Sequence, residues 1–131
     1  AAMSSITPRQ YDPGLPWDIA QASRAKTYRS INLHRMQHGR LPWLKTRQLD
    51  ASAQAWAEHL SRTNSFHHSS ANVYENIAFS TADPNRAFAQ WRNSPEHNAN
   101  MLGNATQVGI GAAHAYVAGY GWGFIVVMQA K

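Results

Sequence analysis

The sequence predicts an α+β domain in which helices pack on both faces of a mainly antiparallel sheet. Two observations carry this. Apolar residues recur at helical spacing in the first half of the chain, followed by two short helix starts marked by proline. The last third is patterned as strands and ends in Phe124-Ile125-Val126-Val127-Met128, apolar at every position. A strand with no polar side is covered on both faces, which places it centrally between two helical layers.

Residues 1–17 read as an extended arm or linker ahead of a domain spanning 18–131, because Pro8, Pro13, Pro16 and Gly14 are too dense for a helix. The first helix is expected from Asp18 to Gln37, with Asp18 as N-cap, Gly39 as the left-handed stop and Pro42 interrupting anything beyond. In the second, Asp50 is the expected cap, and Leu49, Ala53, Trp56, Ala57 and Leu60 form one stripe. Gln54, Glu58 and Arg62 take its wet side, and Thr63-Asn64-Ser65 ends it. Burying Trp56 and Leu60 contributes roughly 1.5–3 kcal/mol each. Val73 to Phe79 reads as a short strand. Asp83-Pro84 opens a helix that buries Ala87, Phe88 and Trp91, and Ser94-Pro95 opens another that stops at Gly103. Val108, Ile110 and Ala112 then alternate with Gly109, Gly111 and Ala113, before a turn in the 118–121 region. No helix follows Gly109 and Gly111, so they suit close sheet–helix approach and not phosphate binding. The loop Gly119-Tyr120-Gly121-Trp122-Gly123 reads as the hairpin turn.

A length of 131 residues suits one domain, and 44% hydrophobic residues, including five Trp, five Tyr and four Phe, suffice for its core. The net charge of +5 suits an anionic partner such as an acidic polymer or lipid surface. Much of it comes from Arg24, Lys26, Arg29, Arg35, Arg40, Lys45 and Arg47, which read as a solvated basic helix face. The chain has no Arg-rich helix, RNA-binding motif or zinc-finger spacing, so nucleic acid is not the expected partner. Cysteine is absent, which excludes disulfides and thiolate metal sites. No run approaches the ~20 apolar residues of a membrane-spanning helix. The start Ala1-Ala2-Met3 is not a secretion signal and leaves room for an upstream segment.

Candidate chemistry lies in three short motifs: Phe66-His67-His68-Ser69-Ser70, Tyr74-Glu75-Asn76-Ile77-Ala78 and Ser94-Pro95-Glu96-His97-Asn98-Ala99-Asn100-Met101-Leu102. A nitrogen–oxygen metal site needs two or three of His, Asp or Glu within about 2 Å of one point. These residues lie on separate elements, so spacing alone also fits partly exposed polar side chains. His97 falls in the first turn of its helix, where the dipole disfavours imidazolium and keeps a neutral ligand available. Ser69 and Ser70 adjoin His68, a juxtaposition common in sequences and seldom a catalytic triad.

In this order and spacing the motifs resemble the CAP superfamily of cysteine-rich secretory, antigen 5 and pathogenesis-related class 1 proteins, specifically its compact bacterial branch. Asn32, Arg35 and Gly39 match the family's opening pattern, and the likeness runs from about Ile31 to Gln129. The resemblance implies a three-layer α-β-α sandwich in which His68, Glu75 and His97 converge in one cleft. The family register favours His68 over its rival His67. Many eukaryotic members carry a further glutamate after the tryptophan; here Ser94 stands in its place. The resemblance makes His68 and His97 the expected ligands of zinc or another divalent cation, with Glu75, Ser69 and Asn76 lining the cleft. Asn76 is expected to bond backbone and fix the Glu75 loop. The implied function is a secreted or envelope-facing, monomeric binding module for a lipid, glycan or extracellular protein. Two alternatives stand beside it: a metal-assisted peptidase with Glu75 as base, and a structural interaction domain of a larger surface protein.

Overall fold

The computed structural model describes residues 14–131. Four helices, α1 (Leu15–Gln37), α2 (Arg47–Thr63), α3 (Arg86–Arg92) and α4 (Pro95–Met101), enclose strands β1 (Leu44–Lys45), β2 (Tyr74–Ser80), β3 (Gln107–Val117) and β4 (Gly121–Ala130). The strands form one sheet in the order β1-β3-β4-β2, antiparallel except where β1 joins β3. Even-numbered residues of β4, Phe124, Val126 and Met128, face Ile31 of α1, Trp91 of α3 and Met101 of α4. Odd-numbered Ile125 and Val127 face Ala53, Ala57 and Leu60 of α2. The expected three-layer α-β-α sandwich is therefore present, with the all-apolar strand at its centre.

Boundaries differ from the sequence reading where a local partner outcompetes the expected one. Helix α1 starts at Leu15 because Pro16 occupies its first turn, where a missing N–H costs nothing, and Asp18 falls inside that turn. The rest of the expected arm, residues 1–13, lies outside the described residues. Thr46 caps α2, accepting from the Leu49 N–H at 3.2 Å. Asp50 is released to accept the Ile110 N–H at 3.0 Å and to pair with Lys45 at 2.8 Å. Helix α3 begins at Arg86, two residues beyond Pro84.

Two side chains assigned to solvent, Arg24 and Gln54, instead bond the backbone of β3, as does Ser61. Among the described residues, strand β1 pairs with only Gln107 and Val108, and no strand covers the edge of β3 beyond them. Arg24 donates to the Ile110 carbonyl at 2.7 Å. Gln54 brackets Ala112, accepting its N–H at 2.8 Å and donating to its carbonyl at 2.9 Å. Ser61 donates to the His114 carbonyl at 2.6 Å. These bonds seal an edge that would otherwise template pairing with another chain. Gln54 is thus buried, not on the wet side.

Arg35 likewise leaves the expected basic face. It is 4% exposed and donates to the Leu41, Met101 and Gly103 carbonyls at 2.8, 2.8 and 2.9 Å, its guanidinium lying 4.4 Å from the Trp43 ring. The carbonyl of Met101, the last residue of α4, and that of Gly103 just beyond it are thereby satisfied from α1. Arg35→Lys is expected to cost about 2–3 kcal/mol, since one ammonium cannot span acceptors that a planar fork reaches together. A lowered urea midpoint with an unchanged slope measures this; an unchanged midpoint contradicts it.

Candidate functional site

Strand alternation sends consecutive residues of β2 to opposite faces, and the site grows from two of them. Glu75 points to the α2 side, opposite Gln129 in the β4 register. It is 7% exposed, and both carboxylate oxygens are occupied. Oε1 accepts from the Ser69 N–H at 2.9 Å and from His68 Nδ1 at 2.8 Å. Oε2 accepts from the Ser69 hydroxyl at 2.6 Å and from Gln129 Nε2 at 2.7 Å. Ser52 donates to Gln129 Oε1 at 2.6 Å, which aims the amide N–H at the carboxylate. Burial pushes the Glu75 pKa up, but the bonds from Ser69, Gln129 and His68 outweigh it and hold the carboxyl below its ordinary value.

His68 is the histidine that reaches Glu75. A carboxylate can only accept, so His68 donates from Nδ1, and Nε2 carries the lone pair on a side chain 63% exposed. Its neighbour His67 instead offers its carbonyl to the Trp56 indole N–H at 3.0 Å, so the loop is pinned at both 67 and 69. Trp56, expected to be buried, is only half-buried against the α2-side core, and it serves as a clip for this loop.

Asn76, fully buried on the other face, donates to the His97 carbonyl at 2.9 Å and accepts from Asn100 at 2.9 Å. Its expected backbone bond exists, yet it fixes α4 and not the Glu75 loop. His97 occupies the first turn of α4 as expected, with Nδ1 2.8 Å from the Ser94 hydroxyl. Adjacent residues of one strand thus position both candidate imidazoles. His68 and Glu75 are in direct contact, whereas His97 bonds Ser94 and neither of them. Among the described residues no three His, Cys, Asp or Glu side chains are grouped to hold a metal ion. His68 and His97 each have Nδ1 at 2.8 Å from an oxygen, the kind of contact that commonly orients histidine ligands.

Gln129, Ser52 and Asn100 are site residues that sequence reasoning missed. The available signal was Gln129, a polar residue closing an apolar strand. An open cavity of about 370 Å³ lined by Ser52, Trp56, His59, Ser69 and Gln129 adjoins the cluster on the α2 side.

Residues 28–129 match the cysteine-rich secretory protein (CAP) family. The chain belongs to the CAP family. Among solved structures, this CAP domain superposes on an extracellular SCP-domain protein of Bacillus anthracis with a TM-score of 0.71 at 20% identity, covering 93% of this chain and 45% of that one. The CAP domain thus spans about half the length of that relative. It also resembles an outer surface protein of Borrelia burgdorferi, with a TM-score of 0.63 at 18% identity, covering 92% and 95% of the two chains. For the protein MpPR-1i the TM-score is 0.65 at 20% identity, covering 93% and 90%. At these identities the likeness establishes the fold. No curated protein matches the sequence. Among the described residues, no helix of the CAP domain is long and apolar enough to cross a membrane.

Proposed function

We propose that this CAP domain is a secreted or envelope-facing binding module, with His68 and His97 holding zinc or a similar divalent cation beside Glu75 and Ser69, and an envelope lipid, glycan or protein as ligand. The saturation of Glu75 carries the choice of binding over hydrolysis. A general base needs an accessible lone pair and a pKa near the working pH. This carboxylate has four donors on its two oxygens and a lowered pKa, so it holds His68 and the 68–69 loop in place instead of accepting a proton from water. The Ser69 hydroxyl is bound to the same carboxylate and not to an imidazole, which argues equally against a serine nucleophile. The names of the Bacillus and Borrelia relatives support the compartment.

Zinc titration calorimetry tests the metal, and a peptide-library assay tests the chemistry. The His68→Ala/His97→Ala variant is expected to lose one equivalent of bound zinc. The wild-type domain with zinc is expected to cleave no peptide above a Glu75→Gln control. Zinc-dependent cleavage abolished by Glu75→Gln would overturn the reading, as would unchanged zinc stoichiometry in the double variant.

A further inference from the structure

A second pair of histidines lies away from the cluster just described. His34 and His38 are four residues apart, which puts their rings on one face at the C-terminal end of α1, 4.4 Å apart between centroids. Each ring already has one nitrogen committed. The His34 Nε2 is 2.7 Å from the Asn98 carboxamide oxygen, an atom that can only accept, so Nε2 carries the proton. The His38 Nδ1 is 2.8 Å from the His34 backbone carbonyl, so Nδ1 carries the proton there. The neutral rings are left with lone pairs on His34 Nδ1 and His38 Nε2.

That arrangement has the features of a ligand pair. Both rings are oriented by a carbonyl-type oxygen on their far nitrogen, which fixes the tautomer and raises ligand basicity. Phe88 packs edge-on against His34 at 5.5 Å, holding that ring in place beside the exposed His38. Both line a cavity of about 540 Å³ that also receives Gln37 and Asn98. The negative end of the α1 dipole favours a cation at this terminus. Arg92 lines the same cavity and opposes it, with its guanidinium 5.6 Å from the Phe88 ring. Among the described residues no acidic side chain lines the cavity. Such a set disfavours calcium and magnesium, which require oxygen ligands, and selects an ion that takes neutral imidazole.

From this geometry we infer that His34 and His38 form a separate two-histidine site for a zinc-class divalent cation, with water completing the coordination. The site is independent of the proposed His68/His97 function, so the two can fail separately. The test uses the His68→Ala/His97→Ala variant, titrated with zinc chloride by calorimetry. One equivalent is expected to remain, and adding His38→Ala, an exposed substitution, is expected to weaken it at least tenfold. Arg92→Gln in the same background is expected to tighten it several-fold by removing the opposing charge. In NMR spectra, zinc should shift the imidazole signals of His34 and His38 together with the Asn98 side-chain amide. Absence of zinc binding in the double variant, or binding that His38→Ala leaves unchanged, overturns the inference.

Discussion

Gly111→Ala is expected to cost this domain at least about 3 kcal/mol. A Cβ at Gly111 would fall on the backbone of Ala53 and Gln54, and one at Gly109 on the backbone of Leu49 and Asp50. Helix α2 therefore rests directly on β3, main chain against main chain. Overpacking typically costs about 1–3 kcal/mol when side chains can rotate away. Here the obstacle is a helix backbone, and pushing it outward also withdraws Gln54 from Ala112 and Asp50 from Ile110. Against a total stability of about 5–15 kcal/mol, such a loss is a large share. Gly103→Ala supplies the control, because a Cβ there meets its nearest neighbours, carbonyl oxygens of Ala99 and Asn100, at an ordinary 3.5 Å. Urea unfolding followed by circular dichroism separates the two. A Gly111→Ala midpoint equal to that of Gly103→Ala would contradict the account.

Glu75→Gln is expected to lower stability at neutral pH by about 2–3 kcal/mol, because one amide oxygen cannot serve four donors and the new NH2 faces N–H groups. The effect has a definite pH dependence. The folded pKa of Glu75 lies below its ordinary value, so the carboxylate's contribution is complete above the ordinary value and is lost as pH falls through the lowered folded one. Wild type and variant should therefore differ most near neutrality and converge in acid, below the usual carboxylate range. The variant should also bind zinc more weakly, since His68 loses the partner that sets its tautomer. Unfolding free energies measured from neutral pH into acid decide the matter. Parallel curves for the two proteins would rule out a special role for the Glu75 charge.

The layered fold was legible because its signals are periodic. The apolar stripe of α2 and the unbroken apolar run of β4 each require a covering layer, and Gly109 and Gly111 announced close approach. What periodicity could not show was the use of polar groups inside the fold. Gln54, Arg24 and Arg35 look like a solvated surface on a helical wheel, yet they answer backbone groups of β3 and α4 that are distant in sequence. Strand β1, with two residues, is too short to display any period. The His68–Glu75 contact was readable only through the motifs of the family, and the placement of Asn76 against α4 was not readable at all. A side chain's partner depends on which face its strand presents, and that is fixed only once register is known.

The resting of α2 on bare glycines also bears on how this domain can diversify. Two layers keyed together through their main chains cannot slide or tilt to reshape a neighbouring hollow, so they form a fixed chassis. Change in recognition must then come from segments hung on that frame. Foremost is the loop between α2 and β2, whose Phe66, Ser70, Ala71 and Asn72 can vary while Trp56 and Glu75 keep its two fastenings.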